Sequence, residues 1–244
     1  MSYREFFEKN QPFHIVSRAV EERKIFNNET DCNRFIFQLY TANIGKPSPN
    51  LWRRDVAKIV QALLQGEEIP LGFLTIEHPP LVHILSFALV ANHYHLYLVP
   101  SIENIVPLFI KKLNIGFAKY FNLKNKRKGA LFGSRYKSIP VQSEFQSDAV
   151  LRYINIINPL DVYQPGWREQ GLKDWRGALN FLENYQYSSF PDLIGKRKSK
   201  ILAPEDVLKQ FSLKRGLIFK SAFRQFTEDF LRRRSKMPYE LFLE

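Results

Sequence analysis

The stretch Val82–Pro100 constrains this chain most: it is apolar or aromatic almost throughout and is broken by Asn92-His93-Tyr94-His95. Val82–Val90 reads as a buried strand and Leu96–Val99 as a second, with Ala91-Asn92 turning between them. Side chains alternate faces along a strand, so His93 and His95, two apart, point the same way. Two imidazoles aimed at one spot are how a divalent cation is gripped. Two histidines at a hairpin mouth can equally meet only water or backbone, so the rest of the chain has to decide.

Phe13–Arg18 alternates weakly and is the expected first strand, with His14 on one side of it. Asn28 or Thr30 caps a helix through Thr41, whose Phe35, Ile36, Leu39 and Tyr40 recur at helical spacing. The loop Gly45–Asn50, a helix Leu51–Gln65 and the irregular Gly66–Pro80 form an expected insertion over residues 45–80. Beyond the hairpin, Pro100-Ser101-Ile102-Glu103 opens a helix to about Leu123. The loop Lys124–Gly133 then leads to a short strand near Tyr136–Gln142. Ser143 caps a helix Glu144–Ile157 that Asn158-Pro159 should stop. This order predicts an α+β fold: a ferredoxin-like (split βαβ) antiparallel sheet with helices on one face. It occupies residues 1–160, and 161–244 is expected to be a helical accessory extension, ending in Arg232-Arg233-Arg234, whose basic runs add DNA contacts.

Charge narrows the partner. Lys and Arg total 36 against 24 Asp and Glu, a formal +12, which favours a polyanion, nucleic acid before a membrane surface. Between Glu103 and Glu144 there is no acidic residue, but nine basic ones, Lys111, Lys112, Lys119, Lys124, Lys126, Arg127, Lys128, Arg135 and Lys137. Phe117, Tyr120, Phe121, Phe132 and Tyr136 are interleaved, as suits a groove that pairs phosphates and stacks exposed bases. Lys124, Lys126, Arg127, Lys128, Arg135, Tyr136 and Lys137 are the candidate DNA contacts. Cys32 is the lone cysteine, so an internal disulfide and a thiolate cluster are excluded. No apolar run approaches a membrane span and the start lacks a signal peptide's apolar core, so a cytoplasmic protein is expected.

Tyr153 falls on the stripe Phe145, Ala149, Tyr153, Ile157 of a helix that this topology lays against the sheet. A tyrosine there is ordinarily core, with its hydroxyl at an edge. Here that edge lies near the histidine pair. A tyrosine, a two-histidine metal site and a basic aromatic groove together suggest phosphodiester cleavage by a tyrosine nucleophile. Tyr120, beside the basic loop, is a competing nucleophile. His14 is a further candidate to face the metal, whereas His78 and His83 read as structural.

These residues carry a family resemblance. Asn92-His93-Tyr94-His95-Leu96 resembles the HUH motif, in the asparagine-preceded form of the REP-associated tyrosine transposases. Phe13–Arg18, Gly133–Lys137 and Arg152–Pro159 resemble three further stretches of that family in the same order, and the match spans roughly residues 10–190. The resemblance implies a single-tyrosine transposase or nuclease acting on single-stranded DNA hairpins as a homodimer, with Mg²⁺ or Mn²⁺ as cofactor. It implies Tyr153 as nucleophile and His93 and His95 as metal ligands. The family's third ligand, an Asn or Gln four residues after the tyrosine, falls here on Ile157, with Asn158 one further on. A one-residue bulge in the helix would restore Asn158 to that role. Two readings stay beside this one: a non-catalytic nucleic-acid-binding protein on the same sheet, and a metal-dependent hydrolase that leaves both ends free.

Overall fold

The computed structural model describes residues 6–45, 55–69, 78–133, 135–212 and 221–235. Its centre is the hairpin of β2 (Val82–Val90) and β3 (His93–Pro100), which β1 (Phe13–Arg18) and β4 (Lys137–Pro140) extend. The strand order is β2-β3-β1-β4, with every neighbouring pair antiparallel. This is the ferredoxin-like order expected. β3 begins at His93 rather than Leu96, because His93 already pairs with Val90 and Arg18. Both histidines therefore stand on a fully paired strand.

Three helices cover one face. In α1 (Glu29–Ile44) the Asn28 side chain accepts from the Asp31 amide, the expected cap. α2 (Val56–Gln65) is the described part of the insertion, whose residues 46–54 and 70–77 lie outside the described set. α3 (Val106–Lys124) starts later than Pro100, since Pro100 still pairs with Val82. Phe35, Leu63, Phe109 and Phe117 from these helices bury Ile15, Phe87, Tyr94 and Leu96 of the sheet. α1 and α3 approach closely at Gly116, where a Cβ would run into the Gln38 side chain. Burial of this apolar surface supplies most of the drive to this layer, at about 25 cal/mol per Å².

The other face is covered as well, by elements the sequence placed differently. α4 (Glu144–Arg152) runs into a π turn (Tyr153–Ile157) and on into α5 (Asn158–Tyr163). The expected stop at Asn158-Pro159 does not occur. The Asn158 N–H bonds back five residues to the Tyr153 carbonyl, and Pro159 then sits in a first turn, where its missing donor costs little. Helices α6–α10 (Trp167–Gln170, Trp175–Asn184, Phe190–Leu193, Glu205–Ser212 and Ser221–Arg234) complete the layer. Leu151, Ile154, Leu160, Trp167, Phe190 and Leu231 bury Leu85, Ala88, Tyr97 and Val99 of the sheet. This second core takes side chains from both sides of residue 160.

The expected stripe on α4 is rotated out of the core. Phe145 is 78% exposed and Tyr153 36%, while Leu151, Ile154 and Asn155 are buried. A buried polar network explains the rotation. Asn155 Nδ2 donates to Ser86 Oγ (2.8 Å) and to the Leu151 carbonyl (2.8 Å), and Ser189 Oγ donates to Asn155 Oδ1 (2.6 Å). Ser86 reaches it because β2 carries an irregularity between Ile84 and Ser86. Satisfying these groups outweighs the apolar periodicity of the helix.

Candidate active site

Cross-strand register assembles the site on this second face. β1 places His14 opposite Tyr97, Val16 opposite His95 and Arg18 opposite His93, so these side chains share one surface. His14 Nε2 and His95 Nδ1 lie 3.0 Å apart with their rings stacked, and the His93 ring stands 4.8 Å from that of His95. His93 Nδ1 donates to Asn92 Oδ1 (2.6 Å), which leaves the lone pair of its neutral ring on Nε2. His95 Nε2 is buried without a partner. With its lone pair there, His95 donates Nδ1–H to His14 Nε2. Burial holds His14 and His93 down at about 4, and His95 well below its ordinary value, so all three rings are neutral at pH 7.

That donor chemistry fits a divalent cation. Two neutral imidazoles, each oriented through its other nitrogen, are the usual way histidine ligands are prepared. An unpartnered buried nitrogen such as His95 Nε2 otherwise costs about 1–3 kcal/mol. Among the described residues no three His, Cys, Asp or Glu side chains converge on one metal position, and His14 Nε2 is engaged by His95. Any further ligand would be of another type, such as an amide oxygen. The one-residue expansion that would restore Asn158 is present: the π turn lies between it and Tyr153, and Asn158 Nδ2 donates to the Tyr153 carbonyl (2.8 Å).

The Tyr153 ring meets His95 edge-on at 5.5 Å and His14 at 5.9 Å. It opens onto a cleft of about 1250 Å³ that His14 and His95 floor. Arg18, Arg135, Lys137, Arg152 and Arg234 line it, and among the described residues no Asp or Glu does. The predicted DNA contacts thus divide. Arg135 and Lys137 reach the cleft, but Lys124, Lys126, Arg127, Lys128 and Tyr136 do not line it. Lys124 is bound to buried Asp31 at 2.6 Å on the α1–α3 side. Arg127 ties its own loop through Asn122 Oδ1 (2.9 Å) and the Ala130 carbonyl (2.6 Å), and Tyr136 packs near Phe7 at 6.4 Å. Lys126 and Lys128 are exposed on that loop.

The competing nucleophile is disposed of by geometry. Tyr120 is buried on the opposite face, its hydroxyl donating to Asp31 Oδ1 (2.9 Å), and burial pushes its pKa well up. Tyr94 also points to that face, donating to Asn114 Oδ1 (2.7 Å). His78 is half-buried with its Nδ1 on the Pro79 carbonyl, and neither it nor His83 joins the cluster. The sequence reading gave no role to Arg18, Arg152, Phe226 and Phe230 and placed Arg234 only within a basic tail expected to add DNA contacts; all five line the cleft. Arg18 was readable from the alternation His14, Val16, Arg18. The α10 residues were not, because no local pattern states that this helix returns to the sheet.

No protein-family model matches the chain, and no curated protein matches it. A solved structure similar in outline is that of a REP-associated tyrosine transposase bound to a REP hairpin. It is 11% identical, with a TM-score of 0.46 over 84% of this chain and 92% of that one. At this level the likeness assigns no residue a role. Among the described residues no helix is long and apolar enough to cross a membrane.

Proposed function

We propose that this protein is a metal-dependent DNA transposase of the single-tyrosine HUH kind, nicking and rejoining single-stranded or hairpin DNA through Tyr153. The observation that carries this reading is the Tyr153 ring standing 5.5 Å from His95, whose Nε2 is buried and unpartnered, beneath a cleft lined by cations and, among the described residues, no carboxylate. Arg18, Arg135, Lys137 and Arg152 hold the DNA backbone by its phosphates. The Tyr153 oxygen attacks a phosphorus, a new P–O bond forms, and the P–O bond to the departing strand end breaks. The phenol proton leaves to solvent through the open cleft, and the departing oxygen takes up a proton. The phosphotyrosine conserves the bond energy, so a second strand end rejoins by the reverse step.

His93 and His95, with Asn158 as third ligand, would hold Mg²⁺ or Mn²⁺. The ion would polarise the scissile phosphate and offset charge developing on it. Asn92 and His14 keep the two imidazoles in the ligating tautomer. The test uses a labelled hairpin oligonucleotide with a single-stranded extension. The unmutated protein should form a denaturation-resistant adduct in Mg²⁺ or Mn²⁺, and both chelation and Tyr153→Phe should abolish it. Binding with no adduct and no metal dependence would instead mark a nucleic-acid-binding protein on this fold.

A further inference from the structure

We infer that the solvent face of α3 is a docking surface for an acidic amphipathic helix of a partner protein. α3 spends Phe109, Leu113, Phe117 and Tyr120 on the core. Its other side carries Leu108, Lys111, Ile115, Lys119 and Leu123, all exposed and set at steps of three or four residues, so that they share one row. Aliphatic and ammonium side chains alternate along it. Leu108, Ile115 and Leu123 are 48%, 45% and 47% exposed, and the row is about 22 Å long. Scattered aliphatics are ordinary on a protein surface. Three in one row, with a cation between each pair, form a seam that the core does not use.

Charge chooses the occupant. Among the described residues Lys111 and Lys119 have no ion-pair or hydrogen-bond partner, and the sequence holds no acidic residue from 104 to 143. Exposed Lys126 and Lys128 extend the field beyond the end of the helix. A second copy of this chain laid on the row would bring lysine against lysine without a carboxylate. A single strand stacks on rings or guanidinium planes, and the row has neither. A membrane takes a broad apolar face, and that of α3 is spent on the core. A helix with an apolar ridge flanked by carboxylates fits both features. Its ridge meets Leu108, Ile115 and Leu123, and its carboxylates pair with Lys111 and Lys119. The row lies on the α1–α3 side of the sheet, away from the cleft, so a partner held there leaves the cleft open.

The probe is a fluorescein-labelled helical peptide with leucine along one face and glutamate on both sides of it, read by anisotropy against the full chain. The unmutated protein should bind it with a micromolar Kd, in the range of small transient interfaces. Ile115→Asp, or Lys111→Glu together with Lys119→Glu, should weaken binding at least about tenfold. Arg135→Ala with Lys137→Ala, in the cleft, should leave it unchanged. The lysine reversal should also gain binding to a peptide carrying lysine in place of every glutamate, which the unmutated protein does not bind. All these positions are exposed, and thermal melting of each variant guards against a folding defect. No binding of the acidic peptide, or binding that the α3 variants keep, would overturn the surface. Phosphatidylglycerol vesicles bound through the same residues, or a concentration-dependent dimer lost in Ile115→Asp, would overturn it in favour of a membrane or a second copy. None of these outcomes depends on whether Tyr153 forms a DNA adduct.

Discussion

The histidines of the cluster divide the work between them. Asn92 Oδ1 meets His93 Nδ1, and His14 Nε2 lies 3.0 Å from His95 Nδ1, which leaves His95 Nε2 without a partner at the cleft. Burial without charge makes the cluster acid-sensitive. His14 and His93 are held at about 4 from an ordinary 6.5, so between these values the unfolded chain binds more protons than the folded one. Their contribution to stability is complete above pH 6.5 and is lost as pH falls toward 4. The metal-free protein should therefore show a falling urea midpoint across that window. His14→Gln should flatten the fall, and a midpoint independent of pH there would contradict the burial of these rings. His83 and His95, which burial also lowers, add to the same fall, and Glu183, held below its usual range by Lys196 and Arg224, adds to it at the acid end.

At the scale of elements, the π turn of Tyr153–Ile157 decides where Tyr153 stands. Asn155 at its centre is fully buried and bonded to Ser86, Ser189 and the Leu151 carbonyl. Asn155→Leu leaves several of these groups unsatisfied and should cost about 2–4 kcal/mol in denaturant unfolding. Adduct yield should fall as well, although Tyr153 and the histidines remain. β1 and β2 were legible as strands, β1 from its weak alternation and β2 from a continuous apolar run that matches burial on both faces. The face shared by His93 and His95 followed from the period of two alone. The helix after Ser143 was misread for a physical reason: Phe145, Ala149, Tyr153 and Ile157 obey helical periodicity, yet a polar network formed with distant Ser86 and Ser189 sets the rotation. Asn158-Pro159 read as a stop because a π turn leaves no local signature.

At the scale of the whole molecule, the sheet is buried on one face by α1, α2 and α3 and on the other by α4 and the C-terminal helices, and the open cleft is the gap that second layer leaves over β1 and β4. The basic excess is shared between structure and binding. Alanine at Arg135, Lys137 and Arg152 should weaken DNA binding and flatten its salt slope by about one per lost contact. Lys124→Ala should instead lower stability, since it leaves Asp31 buried without its ammonium, and should change the slope little. The central claim is that Tyr153 becomes covalently bonded to DNA, and peptide mass spectrometry of the nuclease-trimmed adduct tests it most directly. The account predicts a nucleotide phosphate on the peptide containing Tyr153 and on no other tyrosine. A phosphate on a different residue, or cleavage that leaves both ends free, would contradict it.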